Sequence, residues 1–205
     1  MSQYLSIHPV NPQLRLIKRA VEMIKQGALI VYPTDSCYAF GCHIGDKDAL
    51  ERIRRIRELD DKHNFTLVCR DLSELGNYAF VDNATFRLLR TYTPGPYTFI
   101  LRASKEVPRR MQVAKRKTIG LRIPDHPVAL SLLEELGEPL MSSTLILPGD
   151  DTIMTDPEEM RERLGNKVDL IIDGGNCGYE ATTVVNMDDS NYEIVRQGKG
   201  EINLP

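Results

Sequence analysis

Residues 27–36 of the chain have the sequence GALIVYPTDS, and this stretch decides the fold class. The apolar run at its centre is typical of a short strand buried on both faces, and Gly27 ends a helical pattern before it. Polar side chains follow at once, at Thr34, Asp35 and Ser36. The carboxyl ends of strands in α/β sheets open into the ligand crevice, so this loop is a candidate binding loop. An Asx-type turn, in which Asp35 and Ser36 bond their own backbone, is the alternative.

Helical and strand patterns alternate along the chain on both sides of that stretch. Helices are predicted between a cap at Asn11 and Gly27, with Pro12 in the first turn, and over 46–58, 83–92, 128–136 and 157–164. Strands are predicted over 28–32, 66–69, 97–102, 118–123, 140–143, 168–172, 183–187 and 192–196. The early interleaving and the strand-rich end favour an α/β fold with a mixed sheet.

Composition excludes several classes of protein. The 205 residues are 41% hydrophobic and 27% charged, which excludes a disordered chain and is the size of one large domain. No stretch reaches the roughly 18 uninterrupted apolar residues of a membrane span, and the first twenty residues lack the apolar core of a secretory signal. The four cysteines include no Cys-x-x-Cys pair, so they predict neither a disulfide framework nor a zinc site. We expect a soluble, reduced and therefore cytoplasmic protein with no membrane partner.

Charge is distributed unevenly along the chain. Residues 1–122 contain 21 Lys and Arg against 12 Asp and Glu, whereas residues 123–205 contain 5 against 17. The basic excess is concentrated in 52–57 and in 102–122, where Glu106 is the only acid. Such clusters attract the phosphates of a nucleotide or of RNA. For any single arginine an ion pair with an acid of the C-terminal half is an equal explanation, but in 102–122 no nearby acid offsets the charge.

Familiar catalytic motifs are missing from the sequence. It contains no P-loop, no Gly-x-Gly-x-x-Gly, no His-Glu-x-x-His and no Gly-x-Ser-x-Gly. The stiff corner at 93–98 is interpreted as a structural wall, and the glycine-rich loop at 173–178 as a hairpin turn rather than a phosphate cradle. The histidines are scattered, and each is interpreted as a surface or packing residue. They are His8, His43, His63 and His126.

Five segments nevertheless occur in a specific order. Residues 27–41 look like a Pro-Thr-acid-Thr-x-Tyr-Gly-Leu-Gly loop after a strand, with Ser36 in place of the second threonine. Residues 93–101 look like a Pro-Gly-Pro-x-Thr strand, and 119–126 like a Gly-x-Arg-x-Pro-x-His segment. Residues 182–185 and 196–198 are similar to Ser-Thr and Arg-x-Gly elements. Each string alone is common, but together they closely resemble the YrdC-like family of threonylcarbamoyl-AMP synthases, and a bacterial branch of it in particular.

The resemblance implies a fold and a reaction. Family members condense threonine, bicarbonate and ATP to threonylcarbamoyl-AMP and pyrophosphate, for threonylcarbamoyladenosine in tRNA. ATP is therefore expected as a substrate with Mg²⁺, with no tightly bound cofactor and no metal held by the protein. The resemblance also implies one domain over residues 1–205, without the additional C-terminal domain of longer members. That domain would be a twisted mixed sheet with flanking helices and a concave basic face.

The resemblance also assigns candidate site residues, with no residue assigned to catalysis. Arg122 would pair with the carboxylate of the amino acid, because a guanidinium suits a planar anion; an ion pair with Asp125 or the acidic half is the alternative. The substrate-binding set is Thr34, Ser36, Arg122 and Thr182. The nucleotide-binding set is Arg55, Arg57, Lys62, Thr118, Ser142, Thr144 and Arg196.

Two elements depart from the family pattern. Thr144 stands where the family has an asparagine in its Ser-x-Asn element, so an amide donor is lost. The Lys-x-Arg counterpart is either Arg55-Ile56-Arg57, with Lys62 nearby, or Leu59-Asp60-Asp61 in an ungapped register. Losing one donor from a charge-stabilising site typically costs about 10²–10³ in rate, so we expect weak or altered synthase activity.

Two other functions stay open. The first is a double-stranded RNA-binding protein that uses the basic concave face on tRNA or rRNA without efficient catalysis; 6% aromatic residues supply little stacking on single strands. The second is a nucleotide-sensing partner of another enzyme. The RNA-binding candidates are Arg109, Arg110, Lys115, Arg116 and Lys117.

Overall fold

The computed structural model describes residues 1–60, 62–188 and 192–205. Its strands are β1 (Gln3–Ser6), β2 (Ile30–Tyr32), β3 (Ala39–His43), β4 (Thr66–Val68), β5 (Tyr97–Arg102), β6 (Thr118–Arg122), β7 (Leu140–Thr144), β8 (Leu170–Asp173), β9 (Thr183–Asn186) and β10 (Glu193–Arg196). Its helices are α1 (Leu14–Lys25), α2 (Lys47–Arg57), α3 (Leu72–Tyr78), α4 (Asn83–Tyr92), α5 (Pro127–Leu136) and α6 (Pro157–Leu164), with a short 3-10 helix at Arg109–Met111.

All the described strands form one mixed sheet. Their order is β1-β8-β2-β3-β7-β4-β6-β5-β9-β10. The pairs β1–β8, β2–β8, β4–β6 and β5–β9 are parallel, and the others are antiparallel. The predicted α/β fold with a mixed sheet is confirmed. In the described part of the chain, no helix is long and apolar enough to cross a membrane.

Local sequence signals predicted most of the helix ends correctly. Asp46 accepts from the Ala49 amide at 2.8 Å and Asp156 from the Glu158 amide at 3.0 Å, as their positions predicted. The predicted cap at Asn11 is wrong. Helix α1 follows Gln13, which makes no side-chain cap bond, and the Asn11 amide instead donates to His8 Nδ1 at 3.0 Å. Pro12 consequently lies in the turn before the helix rather than inside it.

Alternate strand residues divide the core into two layers. Leu29 and Val31 face the larger core cluster, which packs under α2, α3, α4 and α6, whereas Ile30 and Tyr32 face the smaller one under α1 and α5. The smaller cluster covers only β1, β8, β2 and the adjoining parts of neighbouring strands. The same face is therefore open over β7, β4, β6, β5 and β9, and the site lies there.

Candidate functional site

A cavity of about 450 Å³ lies on this open face. Its floor follows one row of residues across the sheet, in which Ser142 is opposite Thr66, Thr66 opposite Gly120, and Gly120 opposite Ile100. A Cβ atom at Gly120 would lie 2.9 Å from Thr66 Oγ1 and 3.1 Å from the Phe65 carbonyl oxygen. Apart from Ile100, the residues of this row have small side chains, which leaves room above the sheet.

Two arginines from distant elements meet at the cavity. Arg57, at the end of α2, donates to Ser143 Oγ and, through Nε, to the Ile146 carbonyl at 3.2 Å. Arg196, on the exposed edge strand β10, donates through Nε and Nη2 to the Thr182 carbonyl at 3.2 and 2.9 Å. Burial, and then the charge of Arg196, lower the pKa of Arg57 to about 10, so Arg57 remains cationic at neutral pH. Burial also lowers the pKa of Arg196.

Within the described part of the chain, no acidic group neutralises the charge of this arginine pair. Among the described residues, no carboxylate forms a salt bridge with Arg57 or Arg196, and no Asp or Glu lines the cavity. Lys62 adds a further cation to the same wall. Cationic groups held close together in a concave site attract a polyanion.

A neutral imidazole stands beside these cations. His63 lines the cavity and packs edge-on against Phe65, with ring centroids 5.3 Å apart. Burial, followed by the charges of Arg57 and Arg54, lowers the pKa of His63 to about 4. The imidazole is therefore uncharged at neutral pH and acts there as a hydrogen-bonding group.

Arg122 enters the cavity from β6 and is tied to the loop after β2. Its Nη2 donates to Asp35 Oδ1, and the two side chains are only 8% and 11% exposed. The ion-pair partner of Arg122 is thus Asp35, not Asp125 or an acid of the C-terminal half. Lys199 Nζ donates to the Asp35 carbonyl oxygen from the other side.

Hydroxyl groups complete the polar lining. Thr98 and Thr182 share a hydrogen bond of 2.8 Å between their hydroxyls, and Arg196 Nη2 donates to Thr182 Oγ1 at 3.3 Å. Ser142 Oγ donates to the Phe40 carbonyl at 2.8 Å and lies 2.8 Å from the hydroxyl of Tyr32. Burial raises the pKa of Tyr32 to about 12, so its hydroxyl keeps its proton.

Most of the predicted site residues are brought together by the fold. Arg57, Lys62, Arg122, Ser142, Thr144, Thr182 and Arg196 all line the cavity. Thr118 does not, but its hydroxyl lies 3.5 Å from Oδ1 of Asn64, which does. Ligand binding by these residues stays a prediction.

Besides Thr118, three predicted residues do not line the cavity. Thr34 and Ser36 are buried inside their own loop, where Thr34 Oγ1 donates to the Cys37 carbonyl at 2.6 Å and accepts from the Ser36 amide at 3.2 Å. The loop is therefore closed by the Thr34 hydroxyl, and not by the turn of Asp35 and Ser36 that was the alternative, because the Asp35 carboxylate pairs with Arg122. Arg55 lines a separate surface groove beside Arg163 and Lys167, because two positions along a helix turn a side chain through about 200°.

The structure distinguishes the two alignments that were possible for the Lys-x-Arg element. In the alignment on Arg55-Ile56-Arg57, Arg57 and the nearby Lys62 line the cavity, although Arg55 does not. In the ungapped alignment, Leu59 packs against the core and Asp60 Oδ1 accepts from the Lys62 amide at 2.9 Å. Its third residue, Asp61, lies outside the described residues. The geometry favours the register that contains Arg57.

The five basic residues proposed for RNA form an exposed loop between β5 and β6. Arg109, Arg110, Lys115, Arg116 and Lys117 are all solvent-exposed. Within the described ranges none of them pairs with a carboxylate, and Arg110 Nη2 donates instead to the Gly45 carbonyl. The loop leads into Thr118, whose contact with Asn64 connects it to the cavity wall.

Sequence reasoning missed two contributors to the site. His63 was interpreted as a surface or packing residue, yet it lines the cavity directly after Lys62 and before strand β4. Asp35 was considered only as a turn residue, and its contact with Arg122 spans 87 positions, which no local pattern indicates. The sequence signal that could have identified His63 is a histidine that follows a basic residue just before a strand.

The chain is similar to known proteins in both sequence and structure. The family model for Sua5, YciO and YrdC proteins, described as "Telomere recombination", matches residues 22–198. The protein YciO of Escherichia coli K12, which carries the description "Uncharacterized", is 58% identical over 202 residues, 98% of each chain. The crystal structure of E. coli YciO has a TM-score of 0.95 and covers 98% of both chains.

More distant relatives carry a named activity or a ligand. The threonylcarbamoyl-AMP synthase of Vibrio vulnificus YJ016 is 28% identical over 185 residues, 89% of this chain and 98% of the synthase. The structure of P. abyssi Sua5 complexed with L-threonine has a TM-score of 0.88 at 24% identity, over 96% of this chain and 58% of Sua5. This last likeness shows a shared fold.

Proposed function

Because this chain belongs to the Sua5, YciO and YrdC family, we propose that its cavity binds ATP and an amino acid and forms threonylcarbamoyl-AMP or a closely related adenylate at a low rate. The family that we inferred from the five ordered segments is confirmed, and the relatives of this chain include a bacterial member at 58% identity. A threonylcarbamoyl-AMP synthase among the relatives supplies the reaction class. The substrates themselves belong to the proposal.

The observation that carries the proposal is the pair Arg57 and Arg196. Both face a cavity in which no described carboxylate offsets them, although the residues come from opposite ends of the chain. Two cations held close together raise the free energy of the folded protein unless an anion lies between them. A triphosphate supplies that anion, and Lys62 on the same wall would extend the contact along it.

The residues divide the chemistry between them. Arg122 would hold the carboxylate of the amino acid, with Thr182 beside it, and the arginine pair would hold the nucleotide. The amine of threonine and bicarbonate first form a carbamate with loss of water. The carbamate oxygen attacks the α-phosphorus, a new P–O bond forms, and the bond to pyrophosphate breaks. Negative charge moves to the leaving pyrophosphate, where Arg57, Arg196 and Lys62 stabilise it by fixed position and charge.

Mg²⁺ enters this proposal with ATP. Within the described residues, no group of three or more His, Cys, Asp or Glu side chains is placed to hold a metal ion. Mg²⁺ commonly binds substrate phosphates with few protein ligands. We assign no step to it.

Thr144 explains why the proposed rate is low. It lines the cavity on β7, where the family pattern has an asparagine, and its side chain offers no amide donor. Restoring the amide with Thr144→Asn should raise threonine-dependent pyrophosphate release by roughly 10²-fold, the typical effect of one donor in a charge-stabilising site.

The test is pyrophosphate release from Mg·ATP with threonine and bicarbonate. Thr152→Asn, the same change at an exposed position outside the cavity, is the matched control and should behave as wild type. Release that depends on threonine and rises only in Thr144→Asn supports the proposal. Background release from all three proteins, with threonine or without it, would contradict it.

The exposed loop at 109–117 favours RNA binding as a second candidate function. Its five basic residues have no carboxylate partners in the described structure and adjoin the cavity through Thr118. An unpaired basic surface binds the phosphate backbone without reading sequence. The contact would be with a duplex or backbone in tRNA or rRNA rather than with stacked single-stranded bases.

A further inference from the structure

The buried pair Asp35–Arg122 is incompletely satisfied. Contact is made between Arg122 Nη2 and Asp35 Oδ1, whereas Arg122 Nε and Asp35 Oδ2 are buried without a hydrogen-bond partner among the described residues. An arginine and a carboxylate bind most strongly through two parallel hydrogen bonds. The observed pair forgoes that arrangement and leaves one donor and one acceptor unused.

The pair also separates two cavities. Arg122 lines the main cavity described above, whereas Asp35 lines a neighbouring pocket of about 370 Å³ together with Gly95, Asp125 and Lys199. Lys199 is exposed, and its Nζ already donates to the Asp35 carbonyl oxygen. A carboxylate released by Arg122 would thus remain beside a cation.

We propose that Asp35 acts as an internal competitor in the amino-acid site, because its carboxylate pairs with the same Arg122 guanidinium that a ligand carboxylate would need. This inference rests on the proposed amino-acid site and adds a residue to it. An arriving carboxylate would accept from Arg122 Nε and Nη2, and the Asp35 carboxylate would turn toward Lys199. No covalent bond changes in this exchange.

The competition determines which ligands bind. If the pair is closed for most of the time, the apparent dissociation constant of every carboxylate ligand is raised by the reciprocal of the open fraction. Only a ligand with enough additional contacts, such as those offered by Thr98 and Thr182, would overcome that factor. Asp35 therefore lowers the affinity for all carboxylate ligands by the same factor, and those that make no other contact then bind too weakly to occupy the site.

The experiment is calorimetric titration with L-threonine, in the presence of Mg²⁺ and a non-hydrolysable ATP analogue. Asp35→Asn keeps the shape of the side chain and removes its charge, and should tighten L-threonine binding by about tenfold. Lys199→Gln, at an exposed position, removes the cation that receives the released carboxylate and should weaken binding several-fold. L-Threoninamide, which has no carboxylate, should bind equally to wild type and Asp35→Asn.

Each result has a definite consequence. Unchanged or weaker L-threonine binding by Asp35→Asn overturns the inference, as does equal tightening for L-threoninamide. Unchanged binding by Lys199→Gln also overturns it, and that variant stays informative if Asp35→Asn fails to fold. If one of these contrary results is found while pyrophosphate release depends on threonine, the role of Asp35 is rejected and the proposed function stands. No threonine binding by any variant rejects both the inference and the proposed amino-acid site.

Discussion

His63 illustrates at the scale of one residue how the cavity cations affect stability. Its pKa falls from the ordinary 6.5 to about 4, mainly by burial and then by Arg57 and Arg54. Between these values the unfolded chain binds the proton and the folded chain does not. Stability contributed by the neutral imidazole is therefore lost as pH falls from about 6.5 toward 4.

The resulting prediction concerns the pH dependence of unfolding. His63→Gln should flatten the decrease in unfolding free energy between about pH 6.5 and 4, because glutamine has no proton to gain. Urea denaturation at several pH values measures it for both proteins. Parallel curves for wild type and His63→Gln across that range would show that this histidine is not held neutral by its surroundings.

Single residues also mark the limit of what the sequence could predict. Arg55 and Arg57 were predicted as a pair because they occupy the two charged positions of one short motif. The helix that carries them turns one toward the cavity and the other toward a different groove. Motif spacing predicts the residue types that meet a ligand, whereas the geometry of the element decides which side chain reaches it.

At the scale of an element, β6 shows how a strand builds a site. Gly120 and Arg122 are two positions apart, so they face the same side of the sheet. Arg122 brings its charge to the cavity, and Gly120 lies where a larger side chain would meet Thr66. An added Cβ at Gly120 would lie 3.1 Å from the backbone oxygen of Phe65, which cannot easily move.

Two Gly→Ala variants should therefore have opposite effects. Gly120→Ala should destabilise the protein by about 1–3 kcal/mol through overpacking. Gly76→Ala, in helix α3 where the new Cβ meets nothing within 4 Å, should stabilise it by about 0.5–1 kcal/mol through helix propensity. Chemical denaturation distinguishes them, and equal effects at both positions would contradict the close packing of the cavity floor.

Elements with strong local signals were predictable and those fixed by distant pairing were not. The helix 157–164 was predicted with its bounds and its cap, because Asp156, Pro157 and Gly165 are all local. Strand β1 was missed, since it is short and polar, and it exists through parallel pairing with β8 more than 160 positions away. Strand β3 was missed because the polar loop before it dominated the pattern.

At the scale of the whole molecule, the fold brings basic residues from both halves of the sequence to one open face, namely Arg57, Lys62, Arg122 and Arg196. The smaller core layer covers only one end of the sheet, and the cavity and the exposed loop at 109–117 adjoin each other at the other end. The charge asymmetry could be counted from the sequence, but its concentration at one opening depends on the order of the strands.

RNA binding should depend on that loop if the second candidate function is correct. Neutralising Arg109, Arg110, Lys115 and Lys117 together should weaken duplex RNA binding and flatten its salt dependence, because up to four phosphate contacts are lost. Neutralising the exposed Arg15, Lys18, Arg19 and Lys25 of α1 changes net charge equally and is the control. The same loss of affinity in both variants would indicate a general charge effect and no RNA site at the loop.

The most direct test of the central claim is the equilibrium affinity of the protein for Mg·ATP. Wild type should bind it, and Arg57→Gln and Arg196→Gln should each weaken binding by roughly 10- to 100-fold, the effect of losing a charged hydrogen-bonding partner. Arg55→Gln, two positions from Arg57 but outside the cavity, should leave the affinity unchanged. Equal affinities in all four proteins, or no binding by wild type, would contradict a nucleotide site in this cavity.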